Sequence, residues 1–152
     1  MSNINTPKIL IAAALAYAGL AVANTADTDP RVERHDLMED VGDAAKPVGQ
    51  MLRGDAEYDA GVLMTSLETF KAVSEKFGEL FPPGSETGGG TEAAPAIWED
   101  RAGFEQALTD WREATVVAID AHPQSLDEAR PVVGPVFNTC KSCHDGYRIE
   151  DE

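Results

Sequence analysis

Cys140, Cys143 and His144, in the run Cys140-Lys141-Ser142-Cys143-His144, are the residues of this chain whose types and spacing are best suited to chemistry. Two thiols three positions apart on a helix project to nearly the same side. His144 follows one turn after Cys140, so its imidazole reaches out from that same face. Thiols so placed can each add to a vinyl group of a porphyrin as a thioether while the imidazole binds the metal. C-x-x-C-H is the attachment signature of a c-type haem. The motif takes up both cysteines of the chain.

Other uses of the same residues fit less well. A redox-active dithiol of the thioredoxin kind needs a βαβ setting, and no strand pattern surrounds the motif. A structural zinc site wants four ligands, yet the remaining histidines, His35 and His122, do not stand at finger-like spacing. A plain disulfide leaves the adjacent histidine without a purpose. The expectation is therefore one haem c per chain, covalently held by Cys140 and Cys143, with His144 on the iron.

Residues 1–23 read as a secretory signal peptide. Lys8 is their one charge, residues 9–23 form an uncharged run, and Ala21-Val22-Ala23 is a small-x-small cleavage site. The run falls short of the roughly 18 residues that a spanning helix requires. The competing reading is an uncleaved N-terminal anchor. Cleavage would leave residues 24–152 as a single domain exported to the periplasm. Export agrees with the haem motif, because covalent attachment of this kind takes place outside the cytoplasm. The formal net charge of −15 argues against nucleic acid and anionic lipid as partners. It suits a basic redox partner protein, although acidity spread over several helices is most simply a solvated surface.

The elements that must position the motif are helical, with no alternating strand pattern and no internal repeat. Leu37, Val41, Ala45, Val48 and Leu52 recur at helical steps over 31–52, where Pro47 should introduce a kink. Arg53-Gly54-Asp55 reads as a turn. A second helix over 57–80 carries Leu63, Leu67, Phe70, Ser74 and Phe77 along one face and stops at Pro82-Pro83-Gly84. A Gly-rich loop follows. A third helix over 97–121 carries Phe104, Leu108, Trp111, Thr115 and Ala118, a stripe best read as core. The fourth starts at the capping box Ser125-Leu126-Asp127-Glu128 and ends in the haem motif. Pro131 and Pro135 lie inside it, so a break is expected near Gly134. These elements specify an all-α fold, an antiparallel four-helix bundle with the haem near the C-terminal helix.

Over residues 24–152 the chain resembles the class II cytochromes c, the cytochrome c′ family. The resemblance is carried by 140–148 (Cys-Lys-Ser-Cys-His-Asp-Gly-Tyr-Arg) and 34–42 (Arg-His-Asp-Leu-Met-Glu-Asp-Val-Gly). It extends to 53–60, to Phe81-Pro82-Pro83-Gly84-Ser85, and to Pro95-Ala96-Ile97-Trp98-Glu99-Asp100 with Phe104. It implies that Arg34 approaches a haem propionate, that Met38 lies over the distal side of the iron, and that Arg148 stands close to the proximal side. Arg34 and Met38, four apart, share a helix face as this requires. Basic residues frequent in the family before the Ile-Trp segment are replaced here by Thr91-Glu92-Ala93-Ala94.

The resemblance implies two functions. In the first, His144 is the only protein ligand, and a crowded apolar distal pocket admits small neutral gases such as NO and CO, with electron transfer as a companion role. In the second, Met38 is the sixth iron ligand of a low-spin electron carrier, since a thioether favours ferrous iron. Enzymatic turnover finds no support, as no nucleophile–base pair accompanies the motif. Relatives often form a homodimer through their first two helices, which sets the expectation for this chain.

Overall fold

The computed structural model describes residues 28–149. The expected signal peptide and its cleavage site lie outside the described residues. Five helices follow in order: α1 Pro30–Arg53, α2 Ala60–Lys76, α3 Ala96–Glu99, α4 Arg101–Ala121 and α5 Leu126–Tyr147. A 3-10 turn, Phe77–Leu80, continues α2. The four long helices form the bundle, joined by short turns at 54–59 and 122–125 and by one long loop at 81–95. Among the described residues no helix is long and apolar enough to cross a membrane.

Each long helix starts where a short polar side chain satisfies exposed amides. Asp29 accepts from the Arg31 amide ahead of α1 and Asp59 from the Gly61 and Val62 amides ahead of α2. At α5 the Ser125 hydroxyl accepts from the Glu128 amide, while the Glu128 carboxylate reaches back to the amide of Gln124 rather than Ser125. The expected box is thus present with its return bond shifted by one residue. Gly54 ends α1 in the left-handed conformation at φ 81°, with the Gly54 and Asp55 amides closing on Met51 and Gln50 carbonyls.

Three boundaries differ from the sequence expectation. The helix expected over 57–80 begins only after Asp59 and finishes as a 3-10 turn. The helix expected over 97–121 divides at Asp100, whose non-helical backbone ends α3 while its carboxylate accepts from the Gly103 amide to cap α4. The expected break near Gly134 is absent, and α5 runs unbroken through Pro131 and Pro135. The two prolines are four residues apart and both exposed, so the carbonyls they deprive of donors, on Asp127 and Pro131, face water on a single side. Ala129, Val133 and Val136 bury the opposite side and hold the helix against the bundle. α1 likewise continues through Pro47.

The core is built by the apolar stripes of the four long helices. Phe70, Leu63, Leu67, Phe104, Val133 and Val136 are fully buried, each worth roughly 1.5–3 kcal/mol of transfer from water. Toward the end of the bundle that holds the N-terminus of α1, Phe77, Phe81, Phe104 and Tyr147 pack edge to face, with centroids 4.8–5.3 Å apart.

Candidate functional site

The helices do not close on one another everywhere. α1 meets α5 at few points, and between them lies a mostly apolar cavity of about 450 Å3. α1 contributes Arg34, Met38, Val41 and Ala45 to its wall, and α5 contributes Phe137, Cys140, Cys143 and His144. The loop residues Gly90–Ala93 and the α4 residues Leu108 and Trp111 complete it. Cys140, Cys143, His144, Arg34, Met38 and Arg148 are all among the lining residues, so the structure brings together the six residues singled out in the sequence.

Helical periodicity accounts for the α5 wall. Cys140, Cys143, His144 and Tyr147 recur at three- and four-residue steps and face inward, while Lys141 and Asp145 pair with each other outside. The two sulfurs are unbridged. Burial, with neighbouring Cys143 adding to it, pushes the Cys140 thiol up to about 11, and burial also raises Cys143. Reactive dithiols show the opposite shift. These cysteines are neutral thiols held in an apolar wall. Partial burial, aided by the Arg148 charge, lowers the pKa of His144 and favours the neutral ring whose nitrogen lone pair can bind a metal.

Arg34 is the most unusual residue of the cavity. It is 5% exposed, although its position on an acidic helix suggests a solvated charge. Its guanidinium stacks on Phe81, 4.6 Å from the ring centroid, and lies 5.8 Å from that of Trp98. Nη2 donates to the Ser85 carbonyl at 2.8 Å, while Nε and Nη1 are buried without a partner. Burial and the Arg31 charge draw its pKa down. The indole N–H groups of Trp98 and Trp111 are also buried and unpaired. Buried donors without acceptors are costly, which marks this region as built around an acceptor the polypeptide does not supply.

Arg31 lines the cavity mouth, held by Asp29 and donating to the Thr87 carbonyl at 2.9 Å. Arg148 sits beyond the end of α5 in an antiparallel bridge with Ala93. His35 also touches the cavity mouth but is 70% exposed beside Glu39, and His122 is exposed at the end of α4. The sequence reading assigned no site role to Arg31 or to the Trp111 indole. Trp111 stood in a stripe with core spacing, and nothing in a sequence shows an indole nitrogen left unpaired.

The residues present fit a haem. Two thiols and an imidazole share one helical wall, the space is apolar, and a guanidinium with free donors suits a propionate. A four-helix bundle assembled in this way is a haem-protein scaffold. The family model for Cytochrome C' matches residues 29–148. The chain belongs to the cytochrome c′ family. The cytochrome c′ of Rhodopseudomonas palustris is 37% identical over 139 residues, 88% of this chain and 93% of that protein. Its solved structure superposes with a TM-score of 0.79 at 35% identity, covering 82% of this chain and 99% of that one. A nitric oxide complex of a cytochrome c′ mutant from Alcaligenes xylosoxidans is similar at a TM-score of 0.69 and 30% identity, covering 80% and 94%.

Proposed function

We propose that this chain is an exported protein carrying one covalent haem c, which binds small neutral gases such as NO and CO and passes electrons, and is not an enzyme. Cys140 and Cys143 hold the haem through thioethers, and His144 supplies the axial nitrogen. Arg34 directs its unpaired Nε and Nη1 at a propionate, and Arg148 stands on the proximal side. When bound, the haem supplies the one-electron redox centre and the gas-binding iron. The chain supplies the rest. Its apolar walls exclude water and anions, and Met38 with Val41 narrows the distal space by bulk. The observation that carries this reading is the apolar cavity that sets the thiols and imidazole of α5 on one wall and the unsatisfied guanidinium of α1 on another. Residues 1–23 act as a cleaved signal peptide that delivers the chain to the periplasm. Pairing of two copies through α1 and α2 belongs to the same reading.

Absorption or resonance Raman spectra of the ferrous protein test it. High-spin iron is expected, with CO binding without displacing a side chain. Substituting Met38→Ala should speed CO entry and leave the spin state high. Low-spin iron in both redox states, converted to high-spin by Met38→Ala, would instead make Met38 the sixth ligand of a dedicated electron carrier.

A further inference from the structure

The C-terminal end of α5, which carries His144, is tied to the loop ahead of α3 by two backbone hydrogen bonds and to the start of α4 by the Tyr147 side chain. The Ala94 amide donates to the Tyr147 carbonyl at 3.0 Å and the Ile149 amide to the Glu92 carbonyl at 2.8 Å. The Tyr147 ring meets Phe104 edge-on, with centroids 5.3 Å apart. The Tyr147 hydroxyl lies 3.4 Å from Oδ2 of Asp100, the carboxylate whose Oδ1 caps α4 by accepting from the Gly103 amide at 3.1 Å.

As they stand, the phenol and the capping carboxylate occupy the space that a side chain at residue 103 would take. A β-carbon built there would stand 2.1 Å from Asp100 Oδ2 and 2.6 Å from the Tyr147 hydroxyl. The backbone gives no other reason for a glycine, since Gly103 is not among the residues with positive φ. Glycine in a helix costs about 1 kcal/mol relative to alanine. The first turn of α4 therefore gives up helix stability at the one place where the phenol and the capping carboxylate must meet.

We propose that Gly103, Asp100 and Tyr147 form a clasp that positions His144 on the haem iron. Gly103 makes the space, Asp100 receives the phenol, and Tyr147 fixes the turn of α5 that presents the imidazole. The clasp holds that imidazole against tilting and against withdrawal along the axis of its bond. It rests on the ligation by His144 proposed above, and all three are positioning residues.

The test uses the holoprotein and two readouts. One is the set of hyperfine shifts of the His144 ring protons in the ferric state, which report the geometry of the imidazole at the iron. The other is hydrogen-exchange protection of the Ala94 and Ile149 amides. Gly103→Ala should displace the His144 ring resonances and lower protection at both amides by roughly two- to tenfold, the worth of one neutral hydrogen bond. Tyr147→Phe keeps the ring on Phe104 and should move both readouts in the same direction by less. Asp100→Asn, which keeps the cap and offers the phenol an amide N–H, should stay at the wild-type values. Wild-type protein lacking hyperfine-shifted imidazole resonances overturns the ligation by His144, and the clasp with it. Wild-type resonances that neither Gly103→Ala nor Tyr147→Phe moves overturn the clasp alone, whatever happens to the melting temperature. If Gly103→Ala fails to fold, Tyr147→Phe alone decides.

Discussion

Replacing Arg34 by leucine changes stability with a sign that depends on whether an anion sits against it. The guanidinium is nearly fully buried, it has one protein acceptor at 2.8 Å on Ser85, and two of its N–H-bearing nitrogens have none. Without an anion, Arg34→Leu removes an unpaired buried cation and adds an apolar side chain beside Phe81 and Trp98. The lost Ser85 bond and the stacking, about 1–3 and 1–2 kcal/mol, would be offset by relief of desolvation, leaving stability unchanged or raised. With a propionate on Nε and Nη1, the substitution strands a buried carboxylate, and the loss is about 3–5 kcal/mol. The function proposed above calls for the second case. The assay is urea unfolding of the purified holoprotein followed by far-ultraviolet circular dichroism. With a slope of about 2 kcal/mol per M, the midpoint should fall by roughly 2 M. Arg34→Lys keeps the charge but not the planar fork and should lose less, about 1–2 kcal/mol. A leucine variant as stable as the wild type would refute the reasoning, because no anion would then be paired with Arg34.

Three further outcomes are expected. Purified protein should carry one haem that acid–organic extraction does not remove, and replacing Cys140 and Cys143 together by alanine should make it extractable; a wild-type mass equal to that of the bare mature chain contradicts the attachment. Pro131→Ala and Pro135→Ala should each stabilise the holoprotein by about 2 kcal/mol in urea melts, since the restored helical bond and relieved ring clash, about 3 kcal/mol in a regular interior, exceed the unfolded-chain entropy given back, about 0.4–1 kcal/mol. N-terminal sequencing should find Asn24 first; residues 1–23 retained on membrane-bound protein would favour an anchor.

The bundle was legible because its signals are local and repeated. Helical stripes, Gly54 after α1 and Ser125 before α5 each report on their own neighbourhood, and the structure keeps them all. What misled was also local. Two prolines argue for a break wherever helix propensity alone decides, yet in α5 they stand together on the wet side while Ala129, Val133 and Val136 anchor the other. Tertiary packing outweighed propensity, and only the relative placement of those faces reveals it. Arg34 was legible through the family resemblance, but its burial was not. An arginine on an acidic amphipathic helix reads as solvated until Phe81 and Trp98, far along the chain, close over it. Gly103 was illegible altogether, since its reason lies in the Tyr147 hydroxyl on another helix.

The distribution of charge separates a built cavity from a packing defect. The chain has 12 lysines and arginines against 27 aspartates and glutamates, so an indifferent lining would be mostly acidic. The lining reverses that balance, with Arg31, Arg34 and Arg148 against Glu92 alone. The excess cations gather where the N-terminal end of α1 meets the C-terminal end of α5, and the deeper wall of Val41, Ala45 and Leu108 is apolar. A cofactor with one carboxylate-bearing edge and an otherwise apolar body matches that polarity. It would enter with its propionates toward the arginines and its ring among the aliphatic side chains. Arg31 is held by Asp29 and Arg148 is exposed to water, whereas Arg34 is buried with no carboxylate of the protein on its guanidinium, so it is the cation that calls for a resident anion.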